Sequence, residues 1–302
     1  MRYSSALTSL GGGALAIVAP LAFAAPQPVT IHDTRVFPES ITSTADGALI
    51  VGSLEKGNIY KATPGAPTAE VWITQQQGNL GSLLGVFADE ANGRLLVCNS
   101  PVGSANTTEA KVFDLASGAL KASYPFPGGG RCNDFAVASD GTVYATDTPG
   151  GRVLRLRPGS AAMEAWVGSP DLVGVDGIAF AGGKLYVNNV TKNSLHRIEV
   201  RGDGSAGDIT PIETSMPLAG PDGMRSGPGN TLLIAENRAG RLTQATLEGN
   251  KASLKVLKDG LGQVTAVTLD KNTAWVSEAK FPLRADATKD PGPFIVVPVA
   301  LD

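Results

Sequence analysis

A single unit recurs six times along this chain: a tight turn, a run of aliphatic and β-branched residues, and a polar end. Asp46-Gly47 precedes Ala48 to Ser53, Asn92-Gly93 precedes Arg94 to Asn99, and Asp140-Gly141 precedes Thr142 to Asp147. Gly182-Gly183 precedes Lys184 to Asn189, Gly229-Asn230 precedes Thr231 to Glu236, and Lys271-Asn272 precedes Thr273 to Glu278. Such dipeptides accept the positive φ that tight hairpins require. Successive turns lie 42–48 residues apart, the length of one four-stranded propeller blade. Third strands follow, such as Arg152 to Leu156, and often a fourth, such as Glu164 to Val167. No segment carries a long helical period. The pattern predicts an all-β, six-bladed β-propeller rather than an open sandwich. The last unit is short, because after Glu278 only Pro293 to Val299 reads as a good strand. The N-terminal strand Pro28 to His32 is therefore expected to close the last blade, leaving few free sheet edges.

Function in a ring of repeats rests on what stands at equivalent positions. About eleven residues before each second strand lie Glu39, Asn133, Asp176 and Asp222, in the first, third, fourth and fifth units. The second and sixth units offer Val86 and Val264 there. Equivalent positions face the same end of a central channel, so these four oxygen-bearing side chains are expected to converge. Three buried carboxylates would repel one another, and a divalent cation removes that conflict. An all-oxygen ligand set selects Ca²⁺, or Mg²⁺ or Mn²⁺, over zinc or copper. An isolated Asp-Gly is an ordinary turn; four polar residues at matching repeat positions are not explained that way.

The N-terminus sets the compartment. Arg2, an uncharged stretch from Ala6 to Ala22, and Ala22-Phe23-Ala24 read as a cleavable signal peptide over 1–24. The stretch is short and glycine-rich for a membrane anchor. The mature domain, 25–302, is expected to be periplasmic or secreted, with no membrane association. Two cysteines, Cys98 and Cys132, fit one disulfide in an oxidising compartment. Only two histidines, His32 and His196, are present, which argues against a histidine-rich zinc site. The net charge of −3 and the lack of a Lys/Arg cluster exclude nucleic acid as a natural partner.

Pro38-Glu39-Ser40, Arg131-Cys132-Asn133-Asp134, Asp176-Gly177-Ile178-Ala179-Phe180 and Pro221-Asp222-Gly223-Met224, in this order, resemble the regucalcin, gluconolactonase and luciferin-regenerating-enzyme family, and more distantly the paraoxonases. The resemblance implies that Glu39, Asp176 and Asp222 bind the metal. It implies that Asn133 stands beside or on it, and that Arg131 with Asn133 contacts substrate. It further implies hydrolysis of a small-molecule lactone or ester, with Asp222 or Asp176 as general base. Family lactonases often carry Asn where Asp176 stands, so this site is more acidic. No acidic segment follows Asp147, and no paraoxonase-type histidine pair is evident. No G-x-S-x-G elbow occurs. The alternative is a non-catalytic propeller that binds a small molecule or partner and is braced by a structural ion; isomerisation or condensation on the same scaffold is a third possibility.

Overall fold

The computed structural model describes Met1 and residues 26–101 and 107–301; the expected leader otherwise lies outside the described residues. The chain starts with β1 (Val29–Ile31) and then forms a four-stranded antiparallel meander, β2 (Pro38–Ser43), β3 (Leu49–Ser53), β4 (Ile59–Ala62) and β5 (Glu70–Ile73). The same order repeats in β6 (Ser82–Asp89), β7 (Arg94–Ser100), β8 (Glu109–Asp114) and β9 (Leu120–Pro125). It repeats again in β10 (Cys132–Val137), β11 (Val143–Asp147), β12 (Arg152–Leu156) and β13 (Glu164–Gly168). Next come β14 (Val175–Ala181), β15 (Lys184–Asn189), β16 (Ser194–Val200) and β17 (Ala206–Thr214). A further meander follows: β18 (Pro221–Ser226), β19 (Thr231–Glu236), β20 (Arg241–Glu248) and β21 (Lys251–Lys258). These last two meanders form one eight-stranded sheet, because β17 and β21 pair in parallel through Glu213 with Lys251 and Thr214 with Ala252. The final sheet holds β22 (Val264–Asp270), β23 (Thr273–Glu278), β24 (Phe294–Ala300) and β1, whose Val29 and Ile31 face Val296 and Phe294.

The arrangement is all-β and propeller-like. β2, β6, β10, β14, β18 and β22 each pack against the next, and β22 packs against β2. Second strands are sandwiched between neighbouring sheets. Every residue of β3, β11 and β19 is buried, which is why they read as continuous apolar runs rather than as alternation. Outer strands such as β9 and β13 are largely exposed. Between the first two sheets, Ile50, Ile59, Leu83, Val86, Leu95, Val97 and Phe113 form one cluster. Each such side chain contributes about 1.5–3 kcal/mol on burial.

The polar ends of the repeat have a structural task. Asn99, Asp147, Glu236 and Glu278 accept from the backbone N–H groups of Gly81, Arg131, Ala219 and Gly262, one or two residues ahead of the inner strand of the same sheet. Each thereby fixes the chain as it enters the channel wall.

All six inner strands carry a β-bulge at the same place. The residues outside regular pairing are Glu39, Leu84-Gly85, Asn133-Asp134, Asp176-Gly177, Asp222-Gly223 and Thr265. A bulge re-aims a side chain and strengthens the local twist. The glycine that follows serves the neighbouring strand. A Cβ on Gly177 would lie 2.6 Å from the Asp222 carbonyl oxygen, and one on Gly223 would lie 2.8 Å from Ala266 Cα. This corrects the sequence register in two units. Leu84 and Thr265, not Val86 and Val264, occupy the positions equivalent to Glu39. An insertion within a strand is a pairing event and leaves no periodic mark in the sequence.

Cys98 on β7 and Cys132 on β10 are joined in a disulfide with a Cα separation of 5.2 Å. The bond links adjacent sheets one residue before Asn133.

Candidate functional site

The bulges bring Glu39, Asn133, Asp176 and Asp222 together at one end of the ring. Asn133 Nδ2 donates to Asp176 Oδ2 at 3.1 Å and to Thr148 Oγ1 at 3.0 Å. Both amide hydrogens are thus engaged, and Oδ1 is the atom left for a further ligand. Asp176 and Asp222 share a side-chain hydrogen bond, and the charge of Glu39 acts on Asp222. All four residues are buried.

Burial and mutual repulsion make this a high-energy cluster of carboxylates. Burial first, and then the charges of Asp176 and Asp134, push Glu39 well above the ordinary carboxylate range; Arg131 and Arg225 oppose the shift. Burial pushes Asp176 up to about 7, against hydrogen bonds from Asp222 and Asn133. Burial and the charges of Asp176 and Glu39 raise Asp222, which Asn237 partly offsets. A hydrogen bond between two carboxyl groups needs a proton, so Asp176 and Asp222 titrate as a pair.

Below the ring, Asp134 fills the bulge position that glycine occupies in three other inner strands. Its Oδ2 accepts from Arg225 Nη1 at 2.6 Å. Arg225 also donates to the Val86 carbonyl at 3.1 Å and stands over the Phe87 ring at 5.4 Å. This buried pair crosses the channel and places a cation beneath the acidic ring. Sequence reasoning missed both partners' role, because Arg225 has no counterpart in the other repeats.

Above the ring lies a cavity of about 590 Å³ lined by Glu39, Leu54, Leu84, Arg131, Phe281, Arg284 and Ala285. Glu39 therefore faces an open space. Arg131 is exposed at its rim and is the arginine that lowers the pKa of both Glu39 and Asp176. Leu84, Phe281 and Arg284 carried no sequence signal: the first is a bulge residue, and the others lie in a connection without periodicity.

Neither histidine joins the site. His32 follows β1 and is exposed, whereas His196 lies on β16, where burial pushes its pKa down. As the side chains stand, no three His, Cys, Asp or Glu residues among those described are spaced around a common metal position.

The fold defined by these sheets is one shared by enzymes of several chemistries. A luciferin-regenerating enzyme is similar with a TM-score of 0.67 and 15% identity, over 91% of this chain and 95% of that one. A gluconolactonase from Xanthomonas campestris gives 0.65 and 18%, over 88% of each chain. The PQQ-bound form of an aldose sugar dehydrogenase from Streptomyces coelicolor gives 0.63 and 18%, over 91% of this chain and 99% of that one. At such identities the likeness establishes the fold, and chemistry has to be argued from the site. No protein-family model and no curated protein matches the chain.

Proposed function

We propose that this chain is an exported, metal-dependent hydrolase of small lactones or esters, built as a six-bladed propeller whose eight-stranded sheet is two blades joined at their outer edges. The observation that carries the reading is that Glu39, part of a buried ring of oxygen donors, opens onto a cavity of about 590 Å³. A purely structural ion would be closed off by protein.

The residues fit a hard divalent cation, with Ca²⁺ the best match and Mg²⁺ or Mn²⁺ possible. Asp176 Oδ1 is buried and no N–H or hydroxyl donor of the described residues reaches it. Every donor is oxygen, and three carboxylates would balance most of their charge against a 2+ ion. Glu39, Asn133, Asp176 and Asp222 are the ligands in this reading. Held there, the cation would supply Lewis-acid polarisation of the substrate carbonyl and stabilise the oxyanion. The chain's own residues do the rest. Arg131 and Asn133 orient the substrate beneath the rim. Asp222 or Asp176 accepts the proton of an attacking water, whose oxygen bonds to the carbonyl carbon. As the carbonyl carbon–oxygen single bond breaks, that proton returns to the leaving alkoxide. Leu54, Leu84 and Phe281 limit competing water.

The leader at 1–24 would direct the chain to the periplasm or outside the cell, where the Cys98–Cys132 bond would persist. A panel of lactones and aryl esters, assayed with chelator and with Ca²⁺ restored, tests the activity. Calcium-dependent turnover is expected. Calcium binding without turnover of any member would mark the ion as structural and the propeller as a binding protein.

A further inference from the structure

We propose that the substrate of this site carries a carboxylate, and that Arg284 is the residue that selects it. The inference rests on the hydrolase reading and names its substrate class. Two arginines line the cavity, and their circumstances differ. Arg131 is the cation that acts on Glu39 and Asp176, so its charge already serves the acidic ring. Arg284 has no such task. Its nearest carboxylate is Glu55, and Nε stands 3.6 Å from Glu55 Oε2. Glu55 is already matched, because Arg35 grips both of its oxygens, at 2.7 Å and 3.1 Å. Among the described residues, the Arg284 guanidinium donates no hydrogen bond, and its side chain is 44% exposed.

The backbone that presents Arg284 is fixed. Arg35 Nη2 donates to the Arg284 carbonyl at 3.0 Å, and Arg35 Nη1 donates to that of Asp286 at 3.2 Å. Lys280 Nζ donates to the carbonyls of Pro291 and Pro293 at 2.9 Å and 2.7 Å. The cavity thus combines an acidic floor, apolar walls from Leu54, Leu84 and Phe281, and a guanidinium fork with free donors carried on a fixed backbone. A neutral lactone would leave that fork unused. A planar carboxylate matches it through two parallel N–H···O bonds.

The test compares two matched pairs in calcium buffer. One pair, 5-oxotetrahydrofuran-2-carboxylate and its carboxamide, reads turnover. The other, the lactams 5-oxoproline and 5-oxoprolinamide, reads binding by calorimetry. The wild type is expected to favour the carboxylate member of each pair about ten- to a hundred-fold, the range of a charge-assisted hydrogen bond. For turnover the difference should lie in KM. Arg284→Gln should erase the preference by weakening the carboxylate members far more than the carboxamide members, and Arg284→Lys should restore part of it. No preference in the wild-type calorimetry overturns the inference, as does a preference that survives Arg284→Gln or an equal loss for both members. A calorimetric preference that depends on Arg284, in a protein that turns over neither lactone, leaves the inference standing and overturns the hydrolase reading alone.

Discussion

Asp222 tests the metal reading at the level of a single side chain. Asp222→Asn keeps the volume and removes one of three crowded charges. Saturating calcium at about 100 times its Kd stabilises a folded state that alone binds it by about 2.7 kcal/mol, or roughly 5 °C in Tm for a chain of this size. The variant should lose that shift. In chelator it should be no less stable than the wild type, since a repelling carboxylate has gone. An equal loss of stability with and without calcium would make Asp222 a folding residue instead. The pH dependence has a definite sign. Glu39, Asp176 and Asp222 are raised in the folded state, Asp176 to about 7. Their protons are held more tightly by the folded chain than by the unfolded one. The stability they contribute is complete below the ordinary carboxylate range and is lost as pH rises through about 7. A cation competes for the same oxygens and binds better as the protons leave. The gap in Tm between calcium and chelator should therefore widen from pH 5 to pH 8. A gap constant across that interval would contradict these residues as ligands.

The bulged inner strand is the element that converts sequence into a site. Its Asp-Gly pairs at 176–177 and 222–223 do two things at once: the acid turns to the axis, and the glycine admits the neighbouring strand. Gly177→Ala would set a Cβ 2.6 Å from the Asp222 carbonyl oxygen and push β18 away from β14. The expected cost is about 1–3 kcal/mol. Calcium affinity should fall with it, because Asp176 and Asp222 ride on the two strands being separated. A variant with unchanged midpoint and affinity would show that the strands yield without moving the site. The disulfide acts on the same scale. It closes a loop between Cys98 and Cys132, 34 residues apart, and should add about 3–4 kcal/mol in the chain-entropy picture. Alkylation of the unreduced protein should leave both thiols unmodified by mass; two added labels would exclude the bond. The four polar members of the ring were legible because each sits at a fixed distance before a strongly patterned strand. The two apolar or uncharged members were misplaced at Val86 and Val264, because without a distinctive side chain only the pairing register locates the bulge. Arg284 was invisible for a related reason: a connection held by Arg35 and Lys280 has tertiary order and no local pattern.

At the scale of the whole molecule, the turns, the strand order and the role of the N-terminal strand were all readable, since each repeat must bury the same two faces against its neighbours. The edge pairing of β17 with β21 was not, because it depends on how far two outer strands extend after leaving the core. Closure is where the whole structure is most exposed to a small change. β1 contributes only Val29, Thr30 and Ile31 to pairing with β24. It also reaches the first sheet's outer region, where Thr30 N–H donates to the Pro67 carbonyl at 2.9 Å and Ala69 N–H donates to that of Thr30 at 3.0 Å. Three residues thus clip the last sheet to the first. Val29 and Ile31 are buried, and each is worth about 1.5–3 kcal/mol on burial. Their combined loss would consume a large share of the roughly 5–15 kcal/mol that holds a typical domain folded. Removing β1 would also bare the edge of β24, Phe294–Ala300, an apolar strand suited to pairing with a second copy. A chain that begins after Ile31 should therefore melt well below one that begins at Ala25 and elute as a mixture of larger species. Ile31→Ala, which keeps the backbone pairing, should lower stability by about 2–5 kcal/mol and leave the parent's elution volume unchanged. A truncated chain with the parent's elution volume and midpoint would show that the ring closes without this strand.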